Sequence, residues 1–169
     1  MATRRQGREW ALQMLFQADL NPGSNLDMSI PKFWRQQWTC LMEEKRDQGE
    51  EIDETQLKGS IEDQVAPPKI RLFTETIVRG VLDHLDEIDT RVQAQVKDWP
   101  LHRMGSVERN VLRMSFYELL YCPDVPAPVV MNEAIDLAKY FSNVDAGRFV
   151  NGILDKLNKE LQNQKKNAE

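Results

Sequence analysis

The chain has 169 residues, of which 41% are apolar and 29% charged. It is long enough for one domain with a substantial core and too short for a large multidomain enzyme. The formal net charge is -5, but nine acidic and three basic residues between positions 43 and 63 give that segment a charge of -6, and the other 148 residues sum to +1. The overall acidity therefore does not exclude a nucleic-acid partner.

The cysteine content and the hydropathy predict a cytoplasmic protein. Cys40 and Cys122 are the only cysteines and have no CxxC spacing, so neither a disulfide framework nor a zinc site is expected. The apolar stretch near the N-terminus is interrupted by Gln13, Gln17 and Asp19, which is not typical of a signal peptide. No run approaches the roughly 20 apolar residues that cross a bilayer.

Apolar residues recur at helical spacing almost everywhere, and no convincing strand-like alternation occurs. This pattern predicts an all-α fold, a compact single-domain bundle of about seven helices. The predicted domain spans residues 1–162, with an acidic excursion at about 43–66 that is expected to be a solvated connection. Residues 163–169 are expected to form a disordered tail.

The first two predicted helices have recognisable end signals. Thr3 and Gln6 form a capping-box pattern at the start of the first helix, and Asn21-Pro22-Gly23 ends it. The second helix is predicted from about Ser29 to about Lys45, with Pro31 in its first turn.

Five further helices are predicted after Pro67-Pro68. The fourth carries Val96 and Trp99 on its apolar stripe and is closed by Pro100, and the fifth is apolar over much of its surface, which predicts a central position. Three prolines within residues 123–128 predict a stiff turn before the sixth. The residues expected to cap the fourth, fifth and seventh helices are, in order, Asp86 or Asp89, Ser106, and Ser142 or Asp145.

No motif for catalysis or cofactor binding stands out. The glycines form no phosphate-binding loop. His84 lies beside Asp83 and Asp86, but residues one and two positions apart do not share a helix face, which disfavours a metal site. Neither His84 nor His102 has a glutamate three positions before it, as a di-iron centre in a helix bundle requires. We therefore expect no metal and no cofactor.

Two segments have a composition suited to RNA binding. Arg4, Arg5 and Arg8 precede or adjoin the first acidic residue, and arginine engages phosphates and stacks on bases. A second segment, residues 139–149, combines aromatic and basic side chains with a predicted helix N-terminus. The alternatives are a solubilising N-terminus for the first segment and core positions for Phe141 and Phe149 in the second.

Three blocks of sequence resemble the NusB family of bacterial transcription antitermination factors. They are RRQGREWALQMLFQ (4–17), VERNVLRMSFYELLY (107–121) and DVPAPVVMNEAIDLAKYFSNVDAGRFVNGILDKL (124–157). The third is the most specific, because VxxNEAIxLAK and FVNGxLDK occur in order and at the family's spacing. The resemblance implies an all-helical fold and a non-catalytic protein that binds boxA-type single-stranded RNA in nascent ribosomal RNA transcripts. It also implies NusE, a small-subunit ribosomal protein, as heterodimer partner within the RNA polymerase antitermination complex.

The resemblance assigns functional positions in this chain. The residues expected at the RNA are Arg4, Arg5, Arg8, Lys139, Phe141, Asp145, Arg148 and Phe149. Phe16 and Glu108 match partner-contacting positions, and Phe16 replaces the family's more usual tyrosine. Residues 21–68 are longer than the family generally needs; Trp34 and Trp38 in this span either pack on the core or belong to an added partner surface.

Other classes of function stay open at this point. One is a protein-protein adaptor with the same fold and little RNA binding. Another is a helical domain like those that precede the catalytic part of some ribosomal RNA cytosine methyltransferases, although this chain has no glycine-rich loop for S-adenosylmethionine. A helical protein without an RNA role, and a homodimer in the free state, are also compatible with the composition.

Overall fold

The computed structural model describes residues 1–168. Helices dominate this part of the chain and no strand occurs in it, which confirms the predicted all-α class. Eight α-helices are present among the described residues, one more than predicted. They are α1 Arg4–Leu20, α2 Leu26–Asp47, α3 Ile61–Val65, α4 Pro68–Asp83, α5 Leu85–Gln95, α6 Ser106–Tyr121, α7 Ala127–Phe141 and α8 Val144–Ala168.

The backbone divides into two compact units, Met1–Thr76 and Ile77–Glu169. The assignment of residues 1–162 to a single domain stays a prediction. None of the helices in the described part of the chain is long and apolar enough to span a membrane.

The core of the first unit contains an aromatic cluster. The ring of Trp34 meets Trp10 and Phe33 edge to face, with centroid distances of 5.3 and 5.4 Å. The indole nitrogen of Trp34 donates a hydrogen bond of 2.8 Å to Glu75 Oε1, so burial leaves its polar atom paired. Trp34 is 1% exposed and Trp38 is half-buried. Of the two interpretations of these tryptophans, packing on the core is the one that fits Trp34.

Helix α2 begins earlier than predicted. Its first residue is Leu26, and Asn25 Oδ1 accepts a hydrogen bond of 2.9 Å from the amide of Asp27. Pro31 consequently lies inside the helix and not in its first turn. The prediction was wrong because it treated proline as a start signal, whereas the side-chain cap at Asn25 fixes the helix end.

The acidic excursion is exposed for the most part but contains regular structure. Helix α2 continues to Asp47, a 3₁₀ helix covers Glu54–Gln56, and α3 begins at a capping box between Ser60 and Asp63. Hydrogen bonds from Ser60 lower the pKa of the Asp63 carboxyl, and the nearby Arg71 guanidinium contributes. The α3 helix accounts for the difference between seven and eight helices.

Helix α6 is the most extensively buried helix of the second unit. Every residue from Asn110 to Glu118 is buried, and α6 contacts α5, α7 and α8, as its apolar surface predicts. Arg113 donates two hydrogen bonds, of 2.7 and 2.8 Å, to the carboxylate of Asp89 on α5. This bidentate pair ties α5 to α6.

Several predicted helix ends differ from the structure. Helix α5 starts after His84, so Asp86 and Asp89 lie inside it and cap nothing, and it ends at Gln95 before Val96 and Trp99. Gly105 occupies the cap position of α6, and Ser106 is the first helical residue. These ends lack a side-chain cap hydrogen bond, and a helix end without one leaves a weak signal in the sequence.

The start and the end of α8 also depart from expectation. The helix starts at Val144, and Asn143 Oδ1 accepts a hydrogen bond of 2.8 Å from the amide of Ala146. The cap is therefore Asn143, between the predicted Ser142 and Asp145. The predicted disordered tail is helical through Ala168, and Glu169 lies outside the described residues. Lys165 and Lys166 in the last turn interact favourably with the helix dipole.

Candidate nucleic-acid interface

The first turn of α1 presents two exposed arginines. Thr3 Oγ1 accepts a hydrogen bond of 3.3 Å from the amide of Gln6, which is one half of the predicted capping box, and this bond caps the start of the helix. Arg4 and Arg5 follow and are exposed. The guanidinium carbon of Arg4 lies 5.4 Å from the centre of the Phe73 ring. Arg4 is thus partly oriented by a cation–π contact while its donors reach solvent.

Arg8 differs from the other two arginines because it is buried. It is 2% exposed, and its guanidinium carbon lies 5.1 Å from the centre of the same Phe73 ring. Residues four apart share a helix face, so Arg4 and Arg8 both contact Phe73. The structure therefore shows Arg8 as a packing residue of the first unit, and its contact with phosphate stays a prediction.

Gly7 explains why the arginine tract is interrupted. A Cβ at this position would lie 2.9 Å from Phe73 Cδ1 and 3.0 Å from Thr74 Oγ1. The hydroxyl of Thr74 also contacts the carbonyl of Gly7 at 3.1 Å. A larger residue at this position would force the Phe73 and Thr74 side chains of α4 to shift, so the arginine tract is interrupted where α1 packs closely on α4.

The second group of predicted RNA residues lies where α7 ends and α8 begins. Lys139 is exposed near the end of α7. Its aliphatic stem lies against α8, because a Cβ on Gly147 would come within 2.7 Å of Lys139 Cγ. This packing holds the lysine beside the N-terminus of α8, where free amides and the helix dipole favour a negative ligand.

Asp145 and Arg148 form a solvent-exposed pair on the first turns of α8. Their closest side-chain atoms are 3.6 Å apart, and the side chains are 90% and 78% exposed. An ion pair of this kind contributes little stability because water and salt screen it. Replacing the Asp145 carboxylate by a phosphate as the partner of Arg148 would therefore lose little stabilising free energy.

The two predicted aromatic residues occupy intermediate positions. Phe141 and Phe149 are both half-buried. The ring of Phe141 meets Tyr140 edge to face at 4.9 Å, and Phe149 meets Trp99 at 5.0 Å with a tilt of 57°. Each ring packs against a neighbour and also retains exposed surface.

The partner-contacting positions are accessible, and one of them adjoins the junction. Phe16 is 40% exposed on α1. Glu108, on the first turn of α6, accepts a hydrogen bond of 2.8 Å from Ser142 Oγ. Ser142 follows the last residue of α7, so Glu108 is linked directly to the α7–α8 junction.

The structure groups the predicted residues by unit. Arg4, Arg5, Arg8 and Phe16 lie in the first unit, and Glu108 lies with the junction residues in the second. Sequence reasoning missed the link between Ser142 and Glu108, since 34 positions separate them and no spacing signals the contact. It also missed the position of Trp99 against Phe149.

Comparison with known proteins identifies the family. The model of the NusB family matches residues 36–159. A transcription antitermination protein NusB from Geobacter sulfurreducens is 38% identical over 93% of this chain and 94% of its own length.

Solved structures of NusB proteins have a similar fold. A T. maritima NusB structure is 30% identical, covers 94% of this chain and 92% of its own, and gives a TM-score of 0.71. A crystal structure of antitermination factors NusB and NusE in complex with dsRNA is 25% identical, covers 93% of this chain and 96% of its own, and gives 0.65. The sequence resemblance is thereby confirmed, and the chain belongs to the NusB family of transcription antitermination proteins.

Proposed function

We propose that this protein binds boxA-type RNA in nascent ribosomal RNA transcripts together with NusE, and that it acts in the cytoplasm as a component of the RNA polymerase antitermination complex. Family membership supports the general role, and the structural relative in complex with NusE and dsRNA supports NusE and RNA as the two kinds of partner. No catalytic step is part of the proposal. The RNA contacts are assigned to Arg4, Arg5, Arg8, Lys139, Phe141, Asp145, Arg148 and Phe149, and the NusE contacts to Phe16 and Glu108.

The observation that carries the proposal is the chemistry of the α7–α8 junction. Lys139, near the end of α7, and Arg148, in the second turn of α8, are both exposed. Phe149 follows Arg148 in the sequence. Cationic groups beside aromatic rings are suited to a single strand, because the charges meet phosphates while the rings stack on unpaired bases. Double-stranded RNA would offer such rings only edges and 2′-hydroxyls.

The link between Glu108 and Ser142 supports the joint action of RNA and partner. If NusE contacts Glu108, as the resemblance implies, it contacts a residue that is hydrogen-bonded to the junction. NusE binding then orders the side chains that meet the RNA, and tighter RNA binding in its presence is expected.

An adaptor that binds a partner but little RNA is the second candidate function. Two observations favour it. Arg8 is withdrawn from solvent, and Phe16 and Leu20, one helical turn apart on α1, are 40% and 64% exposed. An apolar pair of this kind is suited to a protein partner.

A fluorescence-anisotropy titration of a boxA-like RNA against a scrambled RNA, with and without NusE, separates the two functions. We expect tighter binding of the boxA-like RNA, a preference that increases with NusE, and weaker binding by an Arg4→Ala/Arg5→Ala variant. Equal weak binding of both RNAs, together with intact NusE binding, would show that the adaptor function is correct.

A charge-matched variant, Lys32→Ala/Arg35→Ala, serves as control. It removes two exposed basic residues of α2 from the same unit, and so lowers the net charge equally. If both variants weaken RNA binding to the same degree, the arginine assignment fails.

A further inference from the structure

Trp99 is the most exposed of the four tryptophans. It lies in the connection between α5 and α6 and is 41% exposed, whereas Trp10 and Trp34 are 6% and 1% exposed. Indole is the largest side chain, and its burial normally contributes strongly to stability. Trp99 therefore presents aromatic surface to solvent from a segment whose backbone is held by side-chain hydrogen bonds.

The connection that carries Trp99 is held rigidly from two sides. Gln93 Nε2 donates to the carbonyls of Val96 and Trp99 at 2.8 and 3.0 Å. The other amide atom, Gln93 Oε1, accepts a hydrogen bond of 2.8 Å from the amide of Leu101. One side chain thus fixes the turn around the indole, so little conformational entropy is lost when a ligand contacts it.

Arg109 fixes the second half of the same connection. Its Nη1 donates to the carbonyl of Met104 at 2.9 Å and lies 3.4 Å from that of Leu101. The position of Trp99 is therefore determined by α5 and α6, the two helices that flank the connection.

The surroundings of Trp99 are suited to RNA. Its ring centroid is 5.0 Å from that of Phe149, and the next residue towards the N-terminus of α8 is the exposed Arg148. Lys97, His102 and Arg103 are exposed on the connection, in which Asp98 is the one acidic residue. An accessible indole among cationic side chains is typical of single-stranded nucleic-acid sites, where bases stack on aromatic rings and phosphates meet the charges.

We infer that Trp99 stacks on an unpaired base of the bound RNA and extends the proposed interface from Phe149 onto the connection between α5 and α6. Lys97 and Arg103 then meet the phosphates that flank this base. The inference rests on the proposed function, because it concerns the same RNA.

Affinity measurements on two variants test the stacking. Trp99→Leu keeps apolar bulk against Phe149 but removes the aromatic face, and we expect about tenfold weaker binding of the boxA-like RNA. Trp99→Phe keeps an aromatic face, and its affinity is expected within about threefold of wild type. The salt dependence is expected to be the same for both variants and wild type, because stacking releases no counterions.

Fluorescence provides a readout that a merely structural role would not change. Trp38→Phe leaves Trp99 as the accessible fluorophore beside the two buried tryptophans, and saturating RNA is expected to quench its emission. When Trp99→Phe is added to Trp38→Phe, the quenching is expected to disappear, while anisotropy of labelled RNA shows that the complex still forms. Circular dichroism and thermal melting of each variant establish that it is folded.

The outcomes distinguish the inference from the function on which it rests. If wild-type protein binds the RNA but Trp99→Leu binds equally well, or the Trp38→Phe/Trp99→Phe variant retains the quenching, Trp99 does not stack and the inference alone is overturned. If wild-type protein with NusE binds neither the boxA-like nor the scrambled RNA, the proposed function fails and the inference fails with it.

Discussion

At the residue scale, packing around single side chains decides which arginines of the predicted RNA-binding segment reach solvent. Arg4 and Arg8 look equivalent in the sequence, yet the first is exposed and the second is 2% exposed. Both guanidinium groups lie over the ring of Phe73. Because residues four apart share a helix face, helical periodicity does not distinguish the two, and only tertiary packing determines that Arg8 is covered.

Gly7 gives the first prediction at this scale. Gly7→Ala places a Cβ 2.9 Å from Phe73 Cδ1 and 3.0 Å from Thr74 Oγ1. Overpacking of this kind costs about 1–3 kcal/mol, which the helix propensity of alanine offsets by up to ~1 kcal/mol. We therefore expect the free energy of unfolding, measured by urea denaturation, to fall by up to about 2 kcal/mol.

Gly152→Ala is the matched control for Gly7→Ala. Gly152 lies inside α8, and a Cβ added there would meet nothing within 4 Å. The substitution is therefore expected to raise stability by about 0.5–1 kcal/mol through helix propensity. A destabilisation of similar size in both variants would contradict the packing role of Gly7.

At the element scale, helix ends were predictable where the chain carries a strong local signal. Thr3 caps α1, and α1 ends at Leu20, directly before Asn21-Pro22-Gly23. The start of α5 was not predictable, because His84 makes no side-chain cap hydrogen bond. Aspartate is a common cap residue, so Asp86 and Asp89 were the predicted caps. Asp89 pairs with Arg113 on another helix instead, a contact that local sequence does not encode.

The cap of α8 gives the prediction at this scale. Asn143→Ala removes the acceptor of the Ala146 amide hydrogen bond and is expected to lower stability by about 1 kcal/mol. Thermal denaturation followed by circular dichroism measures the change. Asn151→Ala, at an exposed position inside α8, is the control and is expected to be neutral or slightly stabilising. Equal melting temperatures for Asn143→Ala and wild type would rule out the capping role.

At the scale of the whole molecule, net charge and local charge act differently on RNA binding. The chain carries -5 overall, so its general field repels RNA, and binding depends on local clusters of basic residues. Repulsion between exposed charges is screened over about 8 Å at physiological salt. Contacts made directly with phosphates release counterions and give binding a steep salt dependence.

The salt dependence of RNA binding gives the prediction for the whole molecule. If Arg4 and Arg5 each contact a phosphate, Arg4→Ala/Arg5→Ala is expected to reduce the slope of log affinity against log salt by about 1.4, or ~0.7 for each contact with a single strand. Lys32→Ala/Arg35→Ala, with the same net charge, is expected to leave the slope unchanged. Anisotropy titrations across a range of potassium chloride concentrations measure both slopes, and an unchanged slope in the Arg4→Ala/Arg5→Ala variant would remove the arginines from the interface.

The sequence by itself determined the all-α class and the family, because helical periodicity and short motifs are properties of neighbouring residues. It also located the arginine tract and the α7–α8 junction. The tertiary structure decided that Arg8 is buried, that Gly7 is needed for close packing, that Glu108 meets Ser142 and that Trp99 meets Phe149. These contacts join residues far apart in the chain, and the packing of helices, not the spacing within any one of them, determines which residues meet.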